Sequence, residues 1–184
     1  IESGDNHTCA LTVSGAVQCW GSNNDGQLGN GTNTSSSAPI NVVGLGSGVT
    51  AISVGANYSC ALQAGAMRCW GGNLYGQLGN GTTASSSTPV TVSGLGASVS
   101  NIAAGYYHSC AVTTGGVAMC WGYNGYGQLG DATVVDKTVP VTVSGLSDTV
   151  SSISVGSFFS CAKLNNSSGV QCWGANGSGQ LGDG

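Results

Sequence analysis

Apolar residues in this chain come in short bursts, each closed by Gly, Pro, Asn or Ser. Gly or Pro interrupts nearly every window of ten, so no helical period can establish itself. Segments such as Asn57–Leu62 and Met67–Trp70 are short and rich in β-branched, aromatic and small residues. They flank turn chemistry at Val13-Ser14-Gly15, Ala64-Gly65, Gly115-Gly116 and Asn165-Asn166-Ser167-Ser168-Gly169. The pattern predicts hairpins and an all-β fold.

The bursts repeat. Trp20–Gly31 reads WGSNNDGQLGNG and recurs as WGGNLYGQLGNG at Trp70, WGYNGYGQLGDA at Trp121 and WGANGSGQLGDG at Trp173, with Trp spacings of 50, 51 and 52. A second block precedes each: IESGDNHTCAL, ISVGANYSCAL, IAAGYYHSCAV and ISVGSFFSCAK. A third, Pro-x-x-Val-x-Gly-Leu in outline, occupies Pro39–Leu45, Pro89–Leu95 and Pro140–Leu146. Length varies mainly between the two Cys of each unit, 10, 9, 10 and 11 apart, which locates a hairpin tip in solvent. The chain is thus a single array with units at 1–51, 52–101, 102–152 and an incomplete 153–184. Each unit has three or four strands: Ile-x-x-Gly, the two Cys strands and Pro-Val-x-Val. Four short strands in about 50 residues fit a β-propeller blade better than a helical solenoid.

The blocks Gly-x-x-His/Tyr-Ser/Thr-Cys-Ala-Leu and Cys-Trp-Gly-x-Asn-x-x-Gly-Gln-Leu-Gly resemble the regulator of chromosome condensation repeat. They look most like its Cys-bearing versions in secreted bacterial proteins. The resemblance covers essentially the whole chain and implies a β-propeller, usually of seven blades. It implies no single function, because members include a nucleotide-exchange factor, β-lactamase inhibitor proteins and receptor ectodomains. Exchange activity in that branch depends on blade-specific loops, which nothing in this sequence marks.

Each Cys pair sits on opposite arms of a hairpin, nearly equidistant from its tip, within reach of a disulfide. The expected pairs are Cys9–Cys19, Cys60–Cys69, Cys110–Cys120 and Cys161–Cys172; a blade-to-blade pattern such as Cys19–Cys60 is the alternative. Zinc needs close-set ligand pairs, and a spacing of nine to eleven fits it poorly. Trp20, Trp70, Trp121 and Trp173 follow the second Cys and face away from the bridge, towards a neighbouring blade. Leu28, Leu78, Leu129 and Leu181 read as core. Gly26, Gly76, Gly127 and Gly179 are expected to hold positive φ or close approaches in a tight turn. Gln27, Gln77, Gln128 and Gln180, with Asn23, Asn73, Asn124 and Asn176, are expected to satisfy backbone groups there. A residue repeated in every blade supports every blade, whereas a catalytic residue is normally unique to one.

The remaining chemistry is thin. His7 and His108 share a slot with Tyr58 and Phe159, so the slot calls for a flat ring and not for a base. Asp131 and Asp183 align with Asn30 and Asn80, where a turn needs an Asx side chain. Asn23-Asn24-Asp25-Gly26 faintly resembles a calcium loop but lacks the distant bidentate Glu. No catalytic residue, metal site or cofactor is expected. Asn-x-Ser/Thr sequons are numerous in a chain with 26 Ser, 15 Thr and 14 Asn, and chance alone produces them.

Composition narrows the partners. Only seven acidic and three basic residues are present, 5% of the chain against about 25% in ordinary globular proteins. A net charge of −4 with three bases leaves no phosphate-tracking surface, so nucleic acid is an unsuitable partner. Four Trp and 40% hydrophobic residues argue against disorder, and no apolar run reaches membrane-spanning length. Eight Cys point to an oxidising, extracellular setting. The fourth unit stops before its Pro-Val-x-Val strand, which would leave a strand edge and blade faces open. With neutral tracts at Thr34–Ala38 and Ala84–Thr88, this leads to the first expectation: a non-catalytic, secreted scaffold that assembles with other copies of itself. The alternative is a protein-recognition module or protein inhibitor within a larger protein, with Tyr75, Tyr123 and Tyr126 as its visible contact residues.

Overall fold

The computed structural model describes residues 1–96, 98–166 and 169–184, and among them contains fifteen strands and no helix. The strands form four antiparallel sheets in simple sequence order. Blade 1 comprises β1 (Glu2–Ser3), β2 (His7–Leu11), β3 (Val17–Gly21) and β4 (Ser36–Asn41). Blade 2 comprises β5 (Val49–Val54), β6 (Tyr58–Gln63), β7 (Ala66–Gly71) and β8 (Ser86–Thr91). Blade 3 comprises β9 (Val99–Ala104), β10 (His108–Thr113), β11 (Ala118–Gly122) and β12 (Lys137–Thr142). Blade 4 comprises β13 (Val150–Val155), β14 (Phe159–Leu164) and β15 (Val170–Gly174). This is the all-β propeller architecture expected from the repeat. The innermost strands β1, β5, β9 and β13 lie side by side around the axis.

Local chemistry sets the strand ends. Ala64 and Gly65, both at positive φ (52° and 75°), close the β6–β7 hairpin in two residues. The other tips are longer, which is where the Cys spacing varies; Ser167 and Ser168 of the fourth tip lie outside the described residues. Pro39, Pro89 and Pro140 sit in β4, β8 and β12, the outer edge strands. Their ladders slip register between Cys19 and Gly21, Cys69 and Gly71, and Cys120 and Gly122. Proline costs least at such an edge or irregularity, because no ladder donor is lost.

The middle of each blade keeps one register: Cys9 faces Cys19, Cys60 faces Cys69, Cys110 faces Cys120 and Cys161 faces Cys172. All four directly opposed pairs are disulfides, with Cα atoms 4.1 Å apart. The blade-to-blade alternative does not occur.

Between successive blades lie three apolar seams. The first joins Leu28, Val42 and Leu45 of blade 1 to Ala61 and Trp70 of blade 2. The second joins Leu78, Val92 and Leu95 to Ala111 and Trp121, and the third joins Leu129 and Val143 to Ala162 and the half-buried Trp173. Burial follows from stacking. Strands β6 and β10 are buried at five consecutive positions because a blade covers each side, whereas β14 alternates.

Candidate functional site

Each seam is organised by the loop that follows the third strand. In blade 1 the Asn23 side chain lies at the loop centre, fully buried. Its Oδ1 accepts the Leu28 N–H at 2.9 Å, and its Nδ2 donates to the Thr32 and Thr34 carbonyls. Gln27 Oε1 accepts the Asp25 N–H at 3.0 Å. Asn73 with Gln77, and Asn124 with Gln128, repeat this set, and Asn176 and Gln180 hold Leu181 and Ser178 in the same way. The asparagine amide and the glutamine Oε1 are thus bonded within the loop, which commits them to structure; the Gln128 Nε2 is buried without a partner among the described residues. Asn30 Oδ1 and Asp131 Oδ1 both accept the N–H and hydroxyl two residues on, from Thr32 and Thr133. Burial alone would push Asp131 up, but hydrogen bonds from Thr133 and Asn124 and the charge of Lys137 outweigh it and lower its pKa.

Gly26, Gly76, Gly127 and Gly179 all have positive φ (84°, 80°, 74° and 72°). At Gly26 and Gly76 there is a second reason for glycine. A Cβ would meet the backbone of Ser87 at 2.6 Å, or of Thr138 at 2.7 Å, on the next blade's outer strand. The Gly31 N–H also donates to the Ser87 carbonyl at 2.9 Å. The neutral tract Ala84–Thr88, expected to meet another copy, therefore meets blade 1 of the same chain.

The freed main-chain carbonyl of the loop glutamine receives the next blade. Gln27 O accepts Trp70 Nε1–H at 2.9 Å and the Ser59 hydroxyl at 3.3 Å. Gln77 O accepts Trp121 Nε1–H and the Ser109 hydroxyl, and Gln128 O accepts Trp173 Nε1–H and the Ser160 hydroxyl, all at 2.9 Å. Trp70 and Trp121 are fully buried, while Trp20 and Trp173, in the outer two blades, are half-buried.

The ring slot works in the opposite direction, reaching forward. His7 Nε2 lies 2.8 Å from Ser59 Oγ, and His108 Nε2 lies 3.0 Å from Ser160 Oγ. Each serine hydroxyl thus bridges a histidine Nε2 and a glutamine carbonyl, tying three positions together through one side chain. Tyr58 fills the same slot, its hydroxyl donating to the His108 carbonyl at 2.6 Å and lying 2.9 Å from the Ser109 hydroxyl, whose one proton is shared between it and Gln77 O. Burial lowers the pKa of both histidines to about 4, against a smaller opposing effect of Asp5 on His7. A neutral, buried imidazole serving as a blade-to-blade link is held away from general-base work at neutral pH.

The upper face differs. In each hairpin the second strand starts opposite the end of the third, as His7 faces Gly21. The first turn and the long loop therefore leave each blade at the same end. There, Tyr75 lies 5.0 Å from Tyr107 and 4.9 Å from Tyr123, centroid to centroid. Tyr106 packs on Tyr107 at 4.6 Å and approaches Phe158 at 5.9 Å. Tyr126 closes the group, 6.3 Å from Tyr123 and 5.4 Å from Phe158, and is 55% exposed. Six rings from blades 2, 3 and 4 thus form one cluster. Tyr75, Tyr123 and Tyr126 are visible in the sequence as contact residues; Tyr106, Tyr107 and Phe158 are not. Their signal lies in departure from the repeat: Tyr106 stands where other blades have Asp5, Ala56 and Ser157, and Tyr107 and Phe158 where they have Asn6 and Asn57. Among the described residues no group of three His, Cys, Asp or Glu could hold a metal ion.

Comparison with known proteins places this geometry. Human WBSCR16 is 28% identical and superposes with a TM-score of 0.84 over 98% of this chain and 48% of its own. The ectodomain of the receptor kinase CR4 of Physcomitrella patens is 27% identical, with a TM-score of 0.57 over 94% of this chain and 39% of its own. Yeast RCC1 (Prp20), solved with Kap60 bound, is 24% identical with a TM-score of 0.80, covering 94% and 42%. The E3 ubiquitin-protein ligase HERC2 of Homo sapiens is 45% identical over 56 residues, 30% of this chain and 1% of that protein. The chain thus spans less than half of each of these proteins. The model described as the regulator of chromosome condensation (RCC1) repeat matches residues 14–62, 65–112 and 116–162, and a second model of that description matches 99–128 and 150–180. With most of its length in matching repeats and its sheets in the matching fold, the chain belongs to the regulator of chromosome condensation repeat family.

Proposed function

We propose that this chain is a non-catalytic protein-recognition module that takes its partner on the upper face. The six-ring cluster carries the reading. Aromatic rings gathered at the exposed ends of loops, with Tyr126 more than half exposed, are the side chains that supply most contact energy in protein interfaces. They occupy slots that vary between blades, while the residues shared by all blades are committed to seams. Yeast RCC1 bound to Kap60 is a relative of this fold seen with a protein partner. Four disulfides support an extracellular setting. The units 1–51, 52–101, 102–152 and 153–184 are taken as the modules of the array.

The test is photo-crosslinking with p-benzoylphenylalanine in place of Tyr126, and separately in place of Ser14 at a hairpin tip on the opposite face. Incubated with extracellular material of the source organism, the probe at 126 is expected to give a defined protein adduct that the probe at 14 does not. Equal labelling from both faces overturns the reading.

A second reading, assembly of copies end to end, is supported by a different observation. Strand β15 has no outer neighbour among the described residues. Beside it runs a groove of about 350 Å³ lined by Gly130, Ala132, Leu146 and Trp173. A strand continuing this chain's own repeat would pair along that edge as readily as one from another copy. Electron microscopy of concentrated native protein separates the two readings: filaments or rings favour assembly, and discrete monomers exclude it.

A further inference from the structure

The same face that carries the aromatic rings also carries acid. Asp5 stands in the β1–β2 turn, and Asp25, Asp131, Asp136 and Asp183 stand in the loops after β3, β11 and β15. Lys137, at the upper end of β12, is already paired with Asp131 at 3.5 Å. The other two bases lie towards the opposite end: Arg68 is opposite Ala61 in mid-blade, and Lys163 is opposite Val170 near the hairpin tip. Among ten charged residues, Asp5 and Asp25 thus stand at the ring-bearing end with no ion pair among the described residues.

Acids and rings adjoin. Asp5 and Tyr106 line one pocket, and the proximity of the Asp5 carboxylate raises the Tyr106 phenol above its ordinary pKa. Asp25 occupies in blade 1 the slot that Tyr75 and Tyr126 occupy in blades 2 and 3. Its Oδ2 accepts Asn57 Nδ2–H at 3.0 Å, from the turn that precedes Tyr58. Going round the axis, the face thus runs from an acidic lip on blade 1 to an aromatic floor on blades 2 to 4.

Resting on the recognition reading above, we propose that the occupant of this face is an extended, Lys- or Arg-bearing protein segment. Its cations would meet Asp5 and Asp25, and its side-chain stems would lie on Tyr75, Tyr106 and Tyr126. Two physical arguments select this partner. Cations are attracted both to carboxylates and to the faces of tyrosine rings, so lip and floor favour the same charge. A flat sugar ring, the other common occupant of aromatic surfaces, is less well matched. The rings in contact are inclined to one another by 45° to 87°, so no two of them form a shared flat platform.

The experiment titrates the whole chain with three synthetic twelve-residue peptides of matched length: one Lys/Arg-rich, one with Glu at those positions, and one with Ser. A set of neutral oligosaccharides is run alongside. The variants are Tyr75→Ser with Tyr126→Ser, and Asp5→Asn with Asp25→Asn; Ser178 already fills the tyrosine slot in blade 4, so the fold tolerates Ser there. The basic peptide is expected to bind at least about tenfold more tightly than the acidic one, with each double variant lowering affinity by about three- to tenfold. Binding should also weaken several-fold as salt rises past the range where exposed charges are screened. Equal affinity for the three peptides, insensitivity to both variants, or binding of oligosaccharide alone overturns the proposal. The crosslinking result at position 126 is independent of these titrations. A protein adduct without basic preference leaves the recognition reading standing while this inference falls.

Discussion

At the seam between blades 1 and 2, Trp70, Ser59, Gln27 and Leu28 occupy slots that hold the same or a closely similar residue in every blade. Above that seam, Tyr75 stands where blade 1 has Asp25 and blade 4 has Ser178. The two sets sit on one loop, with Tyr75 two residues before Gln77, yet they are constrained differently. Gln77 offers its main-chain carbonyl to Trp121 and Ser109, which any residue could do, but its side-chain Oε1 also accepts the Tyr75 N–H, and that bond is the one that calls for glutamine. Tyr75 uses only its backbone in that set, which leaves its side chain free to vary. Sameness marks structural duty, and departure from sameness marks the surface where function can be written.

Reducing all four disulfides is the largest expected perturbation of the seam set. Each closes nine to eleven residues and contributes about 2–3 kcal/mol in the chain-entropy model. Melting followed by circular dichroism should shift far down or lose cooperativity on reduction. A melt unchanged after thiol counting confirms full reduction would show that the seams suffice alone. Next comes Trp121→Ala, expected to cost about 3–5 kcal/mol by opening a cavity in a fully buried site. Trp173→Ala should cost clearly less because that ring is half-buried. Equal losses in denaturant titrations would break the link between stacking and stability.

The histidine links give a pH signature. His7 and His108 titrate near 4 when folded and near 6.5 when unfolded, so between those values the unfolded chain binds more protons. The histidines are expected to lower stability as pH drops from about 6.5 to 4, by on the order of 3 kcal/mol each, and their contribution to level off below, where Asp131 and Asp148, held below the usual carboxylate range, begin to lose theirs. His108→Phe, which copies Phe159, should remove its share of this slope in denaturant midpoints measured across that range. Smallest is Tyr126→Ser, expected to change stability by less than about 0.5 kcal/mol while weakening peptide binding. A large loss of stability there would return Tyr126 to the structural set.

Repeat symmetry made much of the seam legible. Aligning four copies gave the hairpins, the disulfide partners, the inward Trp and the flat-ring slot, because opposed positions in a hairpin follow from counting residues about its tip. The forward reach of that ring was not legible: nothing local says that His7 meets Ser59, 52 residues away, and not a group in its own blade. The role of Ala84–Thr88 was misread for the same reason. Ser87 of that tract accepts the Gly31 N–H and packs on Gly26 of the preceding blade, as Thr138 packs on Gly76 even though Asp136 and Lys137 precede it.

The sequence by itself determined the β-strands, their order, the bridges and the family. Alternation, turn residues and repeat spacing act over a few residues and do not depend on distant partners. Tertiary structure decided two things that no single repeat contains. Stacking the twisted sheets around an axis brought the Trp and Ser donors of one blade onto the glutamine carbonyl of the blade before it. It also gathered Tyr75, Tyr107 and Phe158, each unremarkable in its own loop, into one aromatic surface beside the acids of blade 1. Those contacts depend on the angle and direction in which blades stack, a property of the assembled sheets.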